Sequence, residues 1–187
     1  MGLVEITWDV AQKKKELYWA QELLTPIKTV LEIGTFHGGT SMLWAKMVGK
    51  EGKVFTLDVE NFPKVYEGLP EEKVIIRIEG NSHSLKVIKR TKREVGLVDF
   101  LFIDGDHTFK GVKTDFHIYS RFVKPGGYIA FHDIVDMTCY NETYGVHKFW
   151  EDIKDKYQHW EFIDDKDEKF PINYMGIGVI RWHPAKQ

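Results

Sequence analysis

The chain is poor in cysteine, has no large excess of either charge and contains no long apolar run. Cys139 is the only cysteine in 187 residues, which excludes an internal disulfide framework. The 26 basic and 28 acidic residues leave a net charge of −2, which gives no electrostatic reason to expect nucleic acid or an anionic membrane as partner. No segment approaches the roughly 18 apolar residues of a membrane span, and the N-terminus has no signal-peptide pattern. We therefore expect a cytoplasmic protein.

Apolar runs alternate with amphipathic segments along the chain, which predicts an α/β fold. Strands are predicted at 28–34, 53–59, 74–80, 98–106, 128–133, 160–163 and 174–182. Helices are predicted at 9–24 (capped by Asp9), 39–47, 82–93, 109–122 and 146–157, with the basic run at 13–15 on a solvated helix face. Nearly continuous apolar strands are typical of a mostly parallel sheet with helices on both faces. We predict one Rossmann-like, doubly wound domain over 1–187 with a seven-stranded sheet.

A glycine-rich loop, EIGTFHGGTS, follows the first predicted strand. Its glycines allow the backbone to turn sharply and approach a ligand, and the following helix presents free N–H groups. Asp58 ends the second strand, where a carboxylate can accept hydrogen bonds from two ribose hydroxyls. Phe36 stands where a dinucleotide fingerprint needs its second glycine, and its side chain would obstruct a pyrophosphate. The loop therefore favours S-adenosylmethionine, which has a ribose and an adenine but no phosphate, over NAD.

Two polar blocks end the fourth and fifth predicted strands: Asp104-Gly105-Asp106-His107 and His132-Asp133. Because neighbouring parallel strands end at one edge of the sheet, Asp104, His132 and Asp133 are expected to converge on one cation. Structural roles stay open for several of these residues: Asp106 as a helix cap, Asp133 as a loop cap, His132 in the core and His107 on the surface. Six further histidines lack a spacing argument, and apart from His37 in the glycine loop most are interpreted as surface residues: His37, His83, His117, His147, His159 and His183.

The E-x-G-x-x-x-G pattern from Glu32, the acid Asp58 and the V-K-P-G-G-Y-I segment from Val123 resemble class I S-adenosylmethionine-dependent methyltransferases, over residues 24–182. The resemblance implies an antiparallel last strand. It also implies that the glycine loop cradles the methionine portion, that Asp58 holds the ribose and that residues 80–82 lie near the adenine. The expected cofactor-binding residues are Glu32, Gly34, Thr35, Phe36, His37, Gly38, Ser41, Asp58, Asn81, Ser82 and Asp104.

The two polar blocks resemble the metal-dependent small-molecule O-methyltransferases, the group of macrolide and sugar O-methyltransferases and cephalosporin hydroxylase-like proteins. The resemblance implies Asp104, His132 and Asp133 as metal ligands, and His107, or in second place Asp106, as general base. His132 stands where an acid or amide is usual in that group. Imidazole suits Mn²⁺, Fe²⁺ or Zn²⁺ better than the hard Mg²⁺ ion. The expected cofactors are S-adenosylmethionine and a divalent metal, Mg or Mn.

These observations predict metal-assisted O-methylation of a hydroxyl on a small molecule. The substrate is expected under a loop at 134–146, with the N-terminal helix region at 1–26 as a lid. The sequence leaves open whether the protein is a homo-oligomer in which contacts between copies complete the pocket. Two alternatives are a non-catalytic S-adenosylmethionine-binding protein and a metal-dependent oxygenase with His107, His132 and a carboxylate as its iron ligands.

Overall fold

The computed structural model describes residues 2–166 and 174–184; the remaining residues of the predicted domain, Met1, 167–173 and 185–187, lie outside the described ones. The strands are β1 (Thr29–Ile33), β2 (Lys53–Asp58), β3 (Ile75–Glu79), β4 (Val98–Ile103), β5 (Val123–His132), β6 (His159–Phe162) and β7 (Ile177–Arg181). The helices are α1 (Lys14–Leu24), α2 (Gly39–Val48), α3 (Leu85–Glu94), α4 (Phe109–Tyr119) and α5 (Val146–Ile153). None of the helices in the described ranges has both the length and the apolar character needed to cross a membrane.

The strands form one sheet in the order β3-β2-β1-β4-β5-β7-β6. Strands β1 to β5 pair in parallel, whereas β7 runs antiparallel to both β5 and β6. This arrangement confirms the predicted Rossmann-like, doubly wound sheet and its antiparallel last strand. The strand order reverses between β1 and β4, and the loops after these two strands therefore leave a crevice between them at the carboxyl edge of the sheet.

The core consists of two apolar layers, one on each face of the sheet. Successive strand residues point to opposite faces, so Leu31 faces the layer that contains α3, α4 and α5, and Val30 faces the layer of α1 and α2. In the second layer, Trp44 is fully buried and meets the ring of Phe100 at 5.0 Å between centroids. Burial on both faces explains why the central strands read as continuous apolar runs.

Helix α1 begins later than predicted, at Lys14, and Lys13 rather than Asp9 precedes it. Lys13 is 1% exposed because its Nζ donates a 2.6 Å hydrogen bond to the backbone carbonyl of Asp164. The prediction that the whole basic run is solvated is therefore wrong at Lys13. Because α1 begins only at Lys14, residues 9–12 are not helical. The carbonyl of Asp9 lies close against Gly39 at the start of α2.

Two other boundaries differ from the prediction. The segment Lys124-Pro125-Gly126-Gly127, which lies before the predicted fifth strand at 128–133, belongs to β5, where a register shift opposite β4 accommodates it. Helix α3 begins at Leu85 rather than near Ser82, because the hydroxyl of Ser84 accepts a hydrogen bond from the amide of Val87 and caps the helix. Residues 80–84 are therefore a loop at the carboxyl edge of the sheet.

Candidate active site

A cavity of about 680 Å³ opens at the carboxyl edge of the sheet, above the reversal of strand order. Its wall contains residues from the glycine loop, Asp58 and Glu60, the loop 80–83, the segment 104–107 and the pair His132 and Asp133. Cavities of this size are typical of small-molecule sites. The topology therefore brings the two predicted ends of the site, the glycine loop and the polar blocks, into one cavity.

Asp58 fixes the glycine loop as well as lining the cavity. Its Oδ2 accepts hydrogen bonds from the amides of Thr35 and Phe36, both at 2.7 Å, and its Oδ1 accepts one from the amide of Glu60 at 2.8 Å. The Lys64 ammonium donates to the Phe36 carbonyl. These contacts hold Phe36 in the left-handed region, at φ 47°, which a non-glycine residue adopts only when its surroundings impose it.

Gly34 is required by close backbone packing. Its φ is +88°, and a Cβ atom there would overlap the carbonyl oxygen of Asp104. At the base of the crevice, the backbone of the loop after β1 therefore packs directly against that of the loop after β4. Gly34, Thr35, Phe36 and His37 all line the cavity, as expected for a cofactor loop.

Three predicted cofactor residues lie behind the loop instead of on the cavity wall. Glu32 is fully buried, where it accepts hydrogen bonds from the indole Nε1 of Trp44 at 2.9 Å and from the hydroxyl of Ser41. Burial raises the pKa of the Glu32 carboxyl to about 7, against the lowering effect of these hydrogen bonds. Gly38, at φ +77°, faces the ring of Tyr66. Glu32, Gly38 and Ser41 therefore support the loop and do not line the cavity.

The loop after β3 forms the next part of the wall. Gly80, Asn81, Ser82 and His83 line the cavity, and Asn81 and Ser82 are among the predicted cofactor residues. His83 was expected on the surface, but its Nε2 lies 3.1 Å from Oδ1 of Asp115, a fully buried residue of α4. Burial raises the pKa of Asp115, whereas Ser82 and His83 act to lower it. An acid among the apolar positions of a predicted helix was the signal that could have revealed this pair.

Asp104, His107, His132 and Asp133 form a ring of alternating acids and imidazoles, here called the acid–histidine cluster. His107 places Nε2 3.2 Å from Asp104 Oδ1 and Nδ1 3.2 Å from Asp133 Oδ2. His132 places Nδ1 3.2 Å from both Asp104 Oδ1 and Asp133 Oδ1. The structure thus brings together all the residues predicted for the metal and, with His107, the first candidate for the base.

The charges of this cluster stabilise one another. Burial alone would raise the pKa of Asp104, but His132 and His107 hold it well below its usual range. Burial alone would lower the pKa of His132, but Asp104 and Asp133 raise it to about 9. Asp133 has a raised pKa because burial and Asp104 outweigh the two imidazoles. The pKa of His107 is raised by the two carboxylates in spite of its burial.

The geometry of the cluster favours a different metal set from the one expected. Ligand atoms of Asp104, His107 and Asp133 all lie within 4.8 Å of one another. His132 is not in that group; it is the last residue of β5, is only 5% exposed and has its ring 6.5 Å from that of Phe102 in the core. His107, at 28% exposed, borders the cavity. The group that could hold a metal ion therefore contains His107 where the sequence predicts His132.

Two features of Asp133 fit a cation ligand. Its φ of 62° lies in the left-handed region, and such strain in a non-glycine residue is concentrated at functional sites. Its Oδ1 is buried and, among the described residues, has no partner in hydrogen-bond geometry. A buried carboxylate oxygen without a hydrogen bond is costly unless another group compensates its charge.

Asp106 is placed differently from the other acids of its block. It is exposed on the cavity wall, and its Oδ1 accepts a 3.0 Å hydrogen bond from the amide of Thr108. Thr108 itself caps α4, because its hydroxyl accepts a hydrogen bond from the amide of Gly111. The cap predicted for Asp106 therefore belongs to Thr108, and Asp106 supports the turn before it.

The segment 9–12 closes one side of the cavity. The Gln12 amide donates a 2.6 Å hydrogen bond to Asp104 Oδ2, and Gln12 is 6% exposed. Upstream, the indole of Trp8 donates to the carbonyl of Gly39 at 2.8 Å. The covering element is thus the segment before α1 rather than the helix itself. Nothing in the local sequence marked Gln12, since its partner is 92 positions away.

The predicted substrate loop forms another side of the cavity. Met137 and Tyr144 line it together with Tyr174 and Met175, which precede β7. The ring of Tyr144 meets that of His107 edge to face, at 5.2 Å between centroids. This part of the cavity is therefore apolar, with phenol groups, and it adjoins the acid–histidine cluster.

The family model described as a methyltransferase domain matches residues 31–134, from β1 to just past β5. The matched stretch includes the glycine loop, Asp58 and the acid–histidine cluster. The chain belongs to this methyltransferase family. Its resemblance to S-adenosylmethionine-dependent methyltransferases is confirmed by this match.

The methyltransferase domain is similar to known proteins along most of its length. It is 33% identical over 147 residues to an uncharacterized protein of Acanthamoeba polyphaga mimivirus, a match that covers 72% of the chain and 65% of that relative. An O-methyltransferase from Bacillus cereus in complex with S-adenosylhomocysteine is similar in structure, with a TM-score of 0.66, 18% identity and coverage of 92% of this chain and 83% of that one. The MycE methyltransferase of the mycinamycin biosynthetic pathway, in complex with Mg, S-adenosylhomocysteine and mycinamycin VI, has a TM-score of 0.58 at 20% identity, covering 89% of this chain and 49% of that one. At these identities the structural likeness establishes the fold.

Proposed function

We propose that the chain transfers the methyl group of S-adenosylmethionine to a hydroxyl of a small molecule, with the help of a divalent cation. The observation that carries this proposal is that the acid–histidine cluster and the Asp58-braced glycine loop line one cavity. The acid–histidine cluster can activate a hydroxyl, and the glycine loop suits a nucleoside without phosphates. The fold's likeness to O-methyltransferases agrees with this assignment.

The donor would lie along the wall from the glycine loop to residues 80–83. The loop amides around Gly34 would face its methionine portion, and Asp58 would accept from one ribose hydroxyl through its remaining lone pair. The carboxylates of Asp104 and Asp133 favour the positive sulfonium by charge. Transfer moves the methyl group from sulfur to the acceptor oxygen, releases S-adenosylhomocysteine and needs no covalent enzyme intermediate. Positioning and electrostatics would therefore account for most of the catalysis.

The acid–histidine cluster fits a divalent cation. Asp104, His107 and Asp133 would hold the cation. Oδ1 of Asp133, which has no hydrogen-bond partner among the described residues, would then gain one. His132 would orient the carboxylates of Asp104 and Asp133 from the core side. An imidazole among the ligands favours Mn²⁺, Fe²⁺ or Zn²⁺ over Mg²⁺. When bound, such a cation lowers the pKa of a coordinated hydroxyl and fixes its oxygen.

The acceptor would enter between the substrate loop and the segment 9–12. Met137, Tyr144 and Tyr174 offer it an apolar wall with hydroxyl groups. Both ring nitrogens of His107 face carboxylates, which suits a ligand better than a free base. We therefore assign the hydroxyl proton to Asp106, the exposed carboxylate on the same wall, which was the second candidate from the sequence.

The test is transfer of labelled methyl from S-adenosylmethionine to a panel of hydroxylated small molecules, from phenols to sugars. Product should form with added Mn²⁺, disappear in EDTA and return when Mn²⁺ is restored. In Asp133→Asn, added Mn²⁺ should no longer stimulate product formation. Asp155, an exposed acid in the turn after α5, is the control, and Asp155→Asn should leave turnover and its stimulation by Mn²⁺ unchanged. Full turnover in EDTA would refute the cation's role. Tight binding of the donor without turnover of any acceptor would favour the non-catalytic binding protein.

A further inference from the structure

We propose that the outer sides of α3 and α4 form a docking surface for a nucleic-acid duplex, which they hold by its phosphates without reading its sequence. This surface, here called the basic face, consists of the exposed side chains of residues 85–94 and 109–121. It lies outside the cavity, whose described lining includes none of these residues. The inference therefore does not depend on the proposed function and assigns a macromolecular partner to a separate part of the domain.

Positive charge is concentrated in these two segments. They carry eight of the 26 Lys and Arg of the chain but only two of its 28 acids. One of the two acids, Asp115, is 0% exposed, and the other, Glu94, is paired with two arginines of α3. Because the net charge of the chain is −2, the remainder carries an excess of acids. The balanced total therefore conceals a strongly positive face, which only the fold reveals.

The fold places the two helices side by side. Helix α3 leads from β3 into β4 and α4 leads from β4 into β5, so both run in the same direction. Val87 of α3 and Phe116 of α4 belong to the same apolar layer. The Tyr119 hydroxyl of α4 donates to the carbonyl of Ser82, just before α3. Since both helices bury their apolar sides against one face of the sheet, their cations lie together on the outside.

Most cations of the basic face have no counter-charge within the protein. Six exposed ones have no carboxylate within ion-pair distance among the described residues: Lys86, Lys89, Lys92, Lys110, Lys113 and Arg121. Elsewhere, by contrast, Lys46, Lys124 and Lys154 each place Nζ 2.6 Å from a carboxylate oxygen. Like charges one helical turn apart repel one another. A polyanion laid across both helices would relieve this repulsion and release its own counterions.

The uncharged part of the basic face favours a duplex over other polyanions. Among the described residues, its large exposed apolar side chains are Leu85 and Leu97, at the two ends of α3. It therefore has neither the apolar centre of a protein interface nor an apolar side that could enter a membrane. It also exposes no Phe, Tyr or Trp ring on which an unpaired base could stack, since Phe109 is partly buried beneath the Lys113 ammonium at 5.5 Å. A duplex encloses its bases and presents phosphates, so it needs neither feature.

The experiment is fluorescence anisotropy of a short labelled DNA duplex of mixed sequence, titrated with the full chain over a series of salt concentrations. The wild type should bind at about 50 mM salt, and log K should fall with log salt at a slope of about −5, since each neutralised phosphate contributes about −0.9. Lys89→Gln combined with Lys113→Gln should make the slope shallower by about 2 and weaken binding at least about tenfold. Lys50→Gln combined with Lys73→Gln is the matched control, because it removes the same charge from exposed positions beside α2 on the other side of the sheet. The control should keep the wild-type slope.

Several results would overturn the docking surface. Failure of the wild type to bind the duplex at about 50 mM salt is one, and an equal loss of affinity in both double variants is another, because it would reduce the effect to net charge. Tighter binding of the single strand, or of phosphatidylserine vesicles, than of the duplex also overturns it, since the face would then suit a different partner. These measurements contain no methyl donor or acceptor, so they are decided separately from the proposed function.

Discussion

The side-chain amide of Gln12 donates a 2.6 Å hydrogen bond to Oδ2 of Asp104. The other oxygen of Asp104 faces both His107 and His132, so Gln12 is the contact that joins the N-terminal segment to the acid–histidine cluster. We propose that this contact lets the N-terminal segment both cover the cavity and orient Asp104.

Gln12→Ala should impair the site without unfolding the protein. It removes one hydrogen bond to a charged group, typically about 1.5–3 kcal/mol, and opens the segment that covers the cavity. We expect kcat/KM to fall by roughly 10- to 100-fold, with an increase in the KM of the acceptor. Gln158→Ala, an exposed glutamine before β6, is the control for steady-state kinetics. Unchanged kinetics in Gln12→Ala would show that the contact has no role in turnover.

His107 and Asp106 should separate cation binding from proton transfer. His107→Ala should weaken Mn²⁺ binding at least about tenfold, as loss of a ligand requires, and turnover should fall with it. Asp106→Asn should leave Mn²⁺ affinity unchanged and reduce kcat by roughly 10²- to 10⁴-fold, the usual effect of losing a general base. Electron paramagnetic resonance of Mn²⁺ measures the first quantity without activity. Normal Mn²⁺ affinity in His107→Ala, with a large loss of kcat, would restore His107 as the base.

His132 should make the metal-free protein less stable at high pH. Its folded-state pKa of about 9 lies above its ordinary value of 6.5. Its protonated form therefore stabilises the fold, fully below pH 6.5 and less and less as pH rises through about 9. Thermal melting in EDTA should show His132→Asn well below the wild type near pH 6, by a free energy of order 3 kcal/mol, and the difference should shrink toward about pH 10. A difference that is constant with pH would contradict the charge of His132.

The sequence predicts the sheet well because its strands are buried on both faces and read as plain apolar runs. It predicts the polar blocks of the site for a related reason, since strand ends of a parallel sheet share one edge. What it misses depends on contacts between distant positions. The local sequence predicts a solvated Lys13, and only its contact with the Asp164 carbonyl, 151 positions away, explains why it is buried. The local sequence gives Gln12 no predicted role, and only the fold shows its hydrogen bond to Asp104.

The remaining errors concern which way a side chain points. Glu32 has the right position for a loop contact, but Trp44 and Ser41 hold its carboxylate inside. His132 and His107 both lie at strand ends on the same edge and both line the cavity, but only the path of the backbone leaves His107 28% exposed and His132 5% exposed. Residue type and spacing predict the set of groups in the site, whereas their division of roles depends on the folded geometry.

The most direct test of the central claim is calorimetric titration with S-adenosylhomocysteine and with NAD, for the wild type and for Asp58→Ala. We predict clear binding of S-adenosylhomocysteine and far weaker binding of NAD, because Phe36 stands where a dinucleotide fingerprint needs a glycine and its side chain would obstruct a pyrophosphate. Asp58→Ala should weaken S-adenosylhomocysteine binding by roughly 2–4 kcal/mol, since it removes one charge-assisted hydrogen bond to the ribose and the hydrogen bonds that hold the glycine loop. Comparable affinity for NAD, or an unchanged affinity for S-adenosylhomocysteine in Asp58→Ala, would contradict the assignment of this cavity to the methyl donor.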